Sequence, residues 1–299
     1  MNLAYGMQKF QDWFTQQWVI LWGRKIKPED YPWLLGPFGN LNGIGENFIY
    51  ELAEKENLII KRNSRSAGLL TSIETLDIDP EDLSRLSKNI VDFYEHTANY
   101  KLELNLRWNP FFKFFGYLVN RLFSARINQL NIPTENLSKT ETLASEIITL
   151  TSPSTGEVKY TVWLRKFANS GKVIYSGIYG TCKIPSGKTC IKAIFPLPKG
   201  NATVIMTPII GKNNELILYS SGRKFGDAGF YFLLNDSKDN FWAQYISSFT
   251  DRLVVSDNHY HLAAEQTLKL WKLHVATFNY KIIQAELHSL QPYKYLTDS

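Results

Sequence analysis

The stretch DNHYHLAAE, residues 257–265, places two of the five histidines of this chain two positions apart, between an aspartate and a glutamate. In a strand, both histidines, Asp257 and Glu265 project from the same face, because side chains alternate along a strand. Two imidazoles at this spacing can ligate one divalent ion, and a carboxylate can complete or orient such a site. The same groups can exchange protons with a substrate, so His259, His261 and Asp257 are the catalytic candidates.

A second interpretation of this stretch is a hairpin turn. Asp257 and Asn258 are typical turn residues, and a turn here leaves both histidines near an exposed loop end. The other histidines, His96, His274 and His288, stand in unrelated contexts and offer no third ligand. We therefore predict no metal and no cofactor, and we expect an exposed polar strand face or turn.

A second group that could bind a ligand lies in SSGRKFGDAGF, residues 220–230, where three glycines make a pliable loop. Its backbone amides and the cations Arg223 and Lys224 could hold a carboxylate or a phosphate headgroup. We predict that this loop anchors the polar end of a ligand at the mouth of an apolar cup. The alternative is a surface connection between two strands.

The stretch CKIPSGKTC, residues 182–190, contains the Gly-Lys-Thr that ends a phosphate-binding loop. That motif needs a glycine where this chain has Cys182, and it needs a strand that leads into a helix. Here one strand is expected to lead into another, so we predict a hairpin that sets Cys182 opposite Cys190. Two free thiols are expected rather than a disulfide, because the cytosol is reducing.

The first part of the chain carries the periodicity of helices. Apolar and aromatic residues recur at helical spacing in MQKFQDWFTQQWVILWGRK. Another helix is expected to start at Asp79 and Pro80, where a capping residue precedes a proline, and Leu83, Leu86, Ile90 and Phe93 are expected to form its buried face. A third major helix is expected to begin at Pro110 and to run to about residue 130.

From about residue 140 onward, alternating β-branched and aromatic segments follow one another with short links that contain glycine, proline or asparagine. These nine or ten strands must pair antiparallel, because parallel pairing needs crossovers of about a dozen residues or more. So long a sheet hides its edges by closing into a barrel or by curving over a helix.

Several strands carry apolar or aromatic residues on both faces, which predicts helices outside the sheet and a filled or ligand-holding interior. In VIYSGIY, residues 173–179, Tyr175 and Tyr179 alternate with isoleucines, and the segment VWLRKF carries Trp163 and Arg165. We take these four side chains as candidate ligand-binding residues inside the sheet, together with those of the glycine-rich loop.

The composition excludes several classes of protein. The chain has 299 residues, of which 44% are apolar and 14% aromatic, and its formal charge is +5. A charge this small, without clusters of lysine and arginine, predicts no nucleic-acid partner. No signal sequence and no apolar run long enough to cross a bilayer is seen, so we expect a cytoplasmic protein without a transmembrane segment.

Three segments carry a resemblance to other proteins: FYEHTANYKLELNLRWNPFFKFFGYLVNRLFSARINQLNIP, AIFPLPKGNATVIM and GRKFGDAGFYF. Together they resemble an uncharacterised family of bacterial hypothetical proteins, and the resemblance covers most of the chain. That family has no assigned activity, so the resemblance implies no catalytic residue. The second half also resembles lipocalin-like or START-like bacterial domains, through VWLRKF and the rhythm of the strands.

We therefore predict an α+β protein in which a helical N-terminal part packs on a large antiparallel β-meander, a curved sheet or barrel of lipocalin-like or START-like form. Residues 1–140, mainly helical, and 141–290, antiparallel sheet, are expected to form one cooperative unit. The predicted function is binding of a lipid-like or aromatic small molecule in an apolar pocket of the sheet. The alternatives are an enzyme that acts on such a lipophilic molecule and a structural or protein-interaction protein. The sequence leaves the oligomeric state open.

Overall fold

The structure is a computed structural model, and it describes residues 10–39, 45–62, 64, 67–113, 133, 136–137 and 139–285. Four α-helices lie within these residues: α1 (Phe10–Trp22), α2 (Asn47–Glu56), α3 (Pro80–Arg85) and α4 (Lys88–Glu95). Three short 3-10 helices accompany them at Pro28–Asp30, Ile73–Leu76 and Thr97–Asn99. The helix predicted to begin at Pro110 is described as helical to residue 113, and the rest of it lies outside the described residues.

The helix predicted to start after Asp79 does start there, because the Asp79 side chain accepts a hydrogen bond from the backbone amide of Glu81 at 2.9 Å. It is shorter than expected, since the backbone of Leu86 is extended and ends it. Ser87 then caps α4 by accepting a hydrogen bond from the amide of Asn89 at 3.2 Å. The single helix expected from the periodicity is therefore two short helices, each with its own capping side chain.

The described residues contain a sheet of 14 strands, and every strand pair in it is antiparallel. The strands are β1 (Arg24–Ile26), β2 (Ile59–Arg62), β3 (Tyr100–Trp108), β4 (Glu141–Thr151), β5 (Val158–Phe167), β6 (Val173–Lys183), β7 (Thr189–Leu197), β8 (Gly200–Ile210), β9 (Leu216–Ser220), β10 (Gly229–Asn235), β11 (Phe241–Tyr245), β12 (Phe249–Asp257), β13 (Leu262–Leu270) and β14 (Leu273–Gln284).

Ten of these strands form a closed barrel. Around the ring they follow in the order β3, β4, β5, β6, β7, β8, β9, β12, β13 and β14, and β14 pairs with β3. Closure depends on β9, which pairs with residues 207–210 of β8 on one side and with β12 on the other. A closed ring leaves no unpaired edge inside the barrel wall. The predicted α+β fold with an antiparallel meander is confirmed, in its barrel form.

The remaining strands extend the sheet beyond the ring. β10, β11 and β1 continue from residues 200–205 of β8, and β2 pairs with residues 148–151 of β4. Along one edge, β8 therefore pairs with both β10 and β9, and β4 pairs with both β2 and β3. The strand order departs from a simple meander here, because the chain leaves the ring after β9 and returns to it at β12.

The barrel wall is covered by apolar side chains on both faces, as the strand sequences predicted. One buried cluster lines the interior, and a second forms where Phe48, Ile49 and Leu52 of α2 pack on the outward side chains of Ile148 and Val162. A third cluster covers another part of the outer face and contains many aromatic residues. Each fully buried side chain of this size contributes about 1.5–3 kcal/mol, which explains why α2 packs on the outer face of the wall.

Residues 67–99, called the plug below, pack on the interior cluster and carry α3 and α4. Two backbone hydrogen bonds hold the plug together, from Leu70 to Tyr94 and from Ala98 to Ala67, both at 3.0 Å. Gly68 lies between them, and a methyl group added there would stand 2.2 Å from the backbone of Glu95. The close approach of the two backbone segments therefore requires glycine at this position.

Candidate functional site

The stretch DNHYHLAAE forms the turn between β12 and β13. β12 ends at Asp257 and β13 begins at Leu262, so both histidines lie in the turn between them. The interpretation that puts Asp257, His259, His261 and Glu265 on one strand face is therefore wrong, and the hairpin turn is confirmed. The turn forms because the Asp257 carboxylate accepts a hydrogen bond from the backbone amide of His259 at 2.8 Å, an interaction that is typical of aspartate in turns.

The side chain of Asp257 links the barrel to the plug through hydrogen bonds. Besides the turn amide, its carboxylate accepts hydrogen bonds from the hydroxyl of Ser87 and from the side-chain amide of Asn89, the latter at 2.8 Å. Burial by itself raises the pKa of Asp257, but these hydrogen bonds outweigh it and hold the pKa below its ordinary value. Asp257 is thus an ionised structural group, without the raised pKa that suits a general acid.

The two histidines lie at the surface. His259 is exposed and has a left-handed backbone with a φ of 66°, whereas His261 is half-buried. The part of the chain that the structure describes holds no group of three or more His, Cys, Asp or Glu side chains that could bind a metal ion. A catalytic role for His259, His261 and Asp257 stays a prediction.

The loop that carries Arg223 and Lys224 folds around its own aspartate. The Asp227 carboxylate accepts hydrogen bonds from the backbone amides of Arg223 and Lys224, at 2.9 and 3.1 Å, so these amides already have an anionic partner. Both side chains are exposed. Between this loop and the barrel, Phe225 packs edge-on against Trp33 and Tyr231 of the outer aromatic cluster. Phe225 thus ties this loop to the outer aromatic cluster, and ligand binding by Arg223 and Lys224 stays a prediction.

The barrel interior is only partly filled. A cavity of about 90 Å³ lies between the barrel wall and the plug. Four of the residues predicted to bind a ligand line it, namely Trp163, Arg165, Tyr175 and Tyr179. They meet there because they occupy alternate positions of the paired strands β5 and β6, and alternate side chains share one face. Neither Arg223 nor Lys224 is among the residues that line this cavity.

Gly177 makes room for the aromatic side chains of this wall. It stands opposite Trp163 in the register of β5 and β6, and a methyl group added there would lie 2.8 Å from the ring of Phe195. The Trp163 ring can then meet the Tyr179 ring edge-on at 5.4 Å and donate its indole N–H to the Ser145 hydroxyl at 2.8 Å. The rings of three neighbouring strands therefore pack closely around a strand glycine.

Arg165 is a buried cation, and none of the ion pairs between described residues includes it. Only 6% of its surface is exposed. Its guanidinium carbon lies 4.0 Å from the ring centre of Trp163 and 4.5 Å from that of Tyr175, and one Nη donates to the Tyr179 hydroxyl at 3.0 Å. Its Nε has no hydrogen-bond partner among the described residues. Desolvated ring faces stabilise a cation by about 2 kcal/mol, but they do not neutralise its charge.

Two further polar residues of the cavity, Asp251 and Tyr280, were missed by the sequence analysis. One carboxylate oxygen of Asp251 accepts a hydrogen bond from the Gln266 side chain at 2.7 Å, and the other has no partner among the described residues. Burial raises the pKa of Asp251 to about 7 and that of Tyr280 to about 12. The signal for Asp251 was present in the sequence, because it alternates with Leu253 and Val255, which point inward along β12.

The two cysteines face each other across β6 and β7, as predicted, and both thiols are free. Burial raises the pKa of Cys182 to about 12 and also raises the pKa of Cys190. Thiolate is the reactive form of cysteine, so these buried thiols are poor nucleophiles. They belong to the outer packing of the wall rather than to a reactive site.

The chain is similar to an uncharacterised membrane protein, YndJ, of Bacillus subtilis (strain 168), with 28% identity over 193 residues. The match covers 63% of this chain and 33% of YndJ, so the chain spans about a third of the relative's length. No protein-family model matches the chain, and no solved structure matches it. The resemblance to uncharacterised bacterial proteins is thereby confirmed, and it assigns no activity. Among the described residues, no helix is both long enough and apolar enough to span a bilayer.

Proposed function

We propose that this protein binds a small apolar or aromatic molecule inside its barrel. The observation that carries the proposal is the cavity, whose walls combine aliphatic and aromatic side chains of the barrel with Leu69 and Phe93 of the plug. Apolar walls with a few convergent polar groups are typical of small-molecule sites, and closed barrels can hold one small ligand. Trp163, Arg165, Tyr175 and Tyr179 are the contact residues in this proposal.

The size of the cavity favours a molecule with a single ring or a short branched chain. Its volume of about 90 Å³ is well below the roughly 300–1,000 Å³ of sites for drug-sized ligands. An engineered apolar cavity of about 150 Å³ holds benzene. Of the two ligand classes expected from the sequence, a small aromatic molecule therefore fits better than a long lipid chain, which would require the plug to move.

Ligand-detected NMR with phenol and indole tests this proposal. We expect at least one of them to bind with a dissociation constant below about 1 mM, equivalent to −4 kcal/mol. Ala264 lines the cavity and is 5% exposed, so Ala264→Leu fills the space and is expected to abolish binding. Ala263 is the adjacent position of β13 and faces the other side, so Ala263→Leu is the matched control and is expected to bind normally.

Two results would contradict the proposal. The first is the absence of binding of phenol, indole and benzoate to the unaltered protein at millimolar concentration. The second is equal binding by the Ala264→Leu and Ala263→Leu variants, because a ligand inside the barrel cannot tolerate a side chain in the same space.

We also propose that the protein is cytoplasmic. This location is supported by the free thiols of Cys182 and Cys190, which face each other without a disulfide, as is usual in a reducing compartment. The name of the relative describes a membrane protein, so fractionation of cells that express the chain from its own gene is the direct test. We expect the protein in the supernatant after the membranes are removed, and its recovery in a salt-washed membrane pellet would contradict this expectation.

A further inference from the structure

We propose that the ligand of this cavity is a small carboxylate that pairs with Arg165, an inference that rests on the ligand-binding function proposed above. The argument starts from the buried charge. A guanidinium stays protonated in proteins, and a buried charge without an opposite charge is unfavourable. Arg165 has two ring faces around it, but no carboxylate oxygen of a described residue lies within 4.0 Å of its nitrogen atoms. An anion in the cavity supplies the missing charge.

The free hydrogen-bond donors around Arg165 match the acceptors of a carboxylate. Its Nε–H has no partner among the described residues. The Tyr179 hydroxyl accepts a hydrogen bond from Arg165, which leaves its own proton to donate. The Tyr280 hydroxyl is near enough for the charge of Arg165 to influence its pKa, although no hydrogen bond of ordinary geometry joins them in the described structure. A planar carboxylate accepts from several such donors at once.

Asp251 is the one acidic side chain among the described residues that line the cavity, and its ionised form would repel a carboxylate. The other titratable or charged groups that line the same space are Tyr94, Arg165, Tyr175, Tyr179 and Tyr280. Burial raises the pKa of Asp251 to about 7, so this carboxyl is mainly protonated at pH 6. In that state it carries no charge and can donate a hydrogen bond through its free oxygen.

The apolar side chains that line the cavity favour one class of anion over others. Apart from these polar groups and Gln266, the side chains that line the cavity are aliphatic and aromatic, such as those of Leu102, Val204 and Ile282. A phosphate or sulfate dianion would leave several oxygen atoms against apolar walls without hydrogen bonds. A monocarboxylate with an apolar body places its charge at Arg165 and its body against those walls.

Benzoate and benzamide form a matched pair for the test, because they have nearly the same shape and differ in charge. Binding is measured by NMR titration at pH 6 with the full chain. We expect the unaltered protein to bind benzoate at least about tenfold more tightly than benzamide, which corresponds to 1.4 kcal/mol. Arg165→Met is expected to lose this preference while it still binds benzamide, and Arg165→Lys to keep part of it. Arg252→Met is the matched control, because Arg252 is exposed on the other face of β12, and its preference is expected to be unchanged.

The outcomes separate this inference from the proposed function. If benzamide and phenol bind but benzoate binds no better, the carboxylate inference is wrong and the ligand-binding function stands. If none of the probes binds, the proposed function itself is wrong. If the preference survives in Arg165→Met, or is lost in Arg252→Met, the anion does not pair with Arg165. Unfolding in urea should show that Arg165→Met is folded, because it removes an unpaired buried charge.

Discussion

Replacing Asp251 by asparagine is expected to abolish a pH-dependent loss of stability. Through this carboxyl, the unfolding free energy of the unaltered protein is expected to fall by about 3 kcal/mol from pH 5 to pH 8, and Asp251→Asn lacks this fall. The carboxyl of Asp251 is 5% exposed, and burial raises its pKa from the ordinary 3.8 to about 7. Asparagine keeps the shape of the side chain and can still accept the hydrogen bond from Gln266. It has no charge to bury at any pH.

The sign of this effect follows from proton binding. Between pH 4 and pH 7 the folded protein holds a proton on Asp251 that the unfolded chain has released. Stability is therefore greatest in acid, falls by about 1.4 kcal/mol for each pH unit in this window, and levels off above the folded-state pKa. About two of these units lie between pH 5 and pH 7. The expected result is a smaller fall in unfolding free energy with pH for Asp251→Asn than for the unaltered protein.

Urea unfolding at pH 5 and pH 8 measures this difference. Asp257→Asn is the matched control, because hydrogen bonds hold the pKa of Asp257 below its ordinary value and it stays ionised throughout this range. The control is expected to lose stability equally at both pH values, since it weakens the contacts to Ser87 and Asn89. If Asp251→Asn has the same pH dependence as the unaltered protein, the buried carboxyl is not protonated as inferred.

Replacing Gly68 by alanine is expected to destabilise the protein by about 3 kcal/mol. The added methyl group would stand 2.2 Å from the backbone carbonyl carbon of Glu95 and 2.4 Å from the carbonyl oxygen of Tyr94. Backbone atoms cannot rotate away from the added methyl group as a flexible side chain can, so residues 67–70 must move away from the end of α4. The hydrogen bond from the Leu70 amide to Tyr94 is then weakened.

Gly180→Ala is the matched control for this prediction, because nothing lies within 4 Å of a methyl group added at Gly180. Its unfolding free energy is expected to change by less than about 1 kcal/mol, in the stabilising direction. Hydrogen–deuterium exchange gives a second measurement, and we expect faster exchange of the Leu70 and Ala98 amides in Gly68→Ala. Equal stability of the two variants would show that residues 67–70 do not approach the end of α4 as closely as described.

The sequence by itself determined the local elements of this protein. Short links with glycine, proline and asparagine separate segments of alternating residues, and this pattern depends only on neighbouring positions. The same holds for the helix that starts after Asp79 and for the hairpin that sets Cys182 opposite Cys190. Alternation along two paired strands was also enough to place Trp163 and Tyr175 on one face.

The tertiary structure decided everything that depends on how distant strands meet. Barrel closure rests on β9, which pairs with both β8 and β12, and no local pattern specifies that second partner. Closure brings Asp251 and Tyr280 to the cavity that Arg165 lines. It also brings Asp257 within hydrogen-bond distance of Ser87, 170 residues earlier in the chain.

The physical reason is that a side chain's face is set by its own strand, whereas its neighbours are set by the register and closure of the whole sheet. Sequence periodicity therefore identified Arg165 as inward-facing in a candidate site, but only the closed barrel shows that this cation has no carboxylate partner among the described residues. For the same reason, no local pattern shows that the loop of Arg223 packs through Phe225 against Trp33 of the outer aromatic cluster.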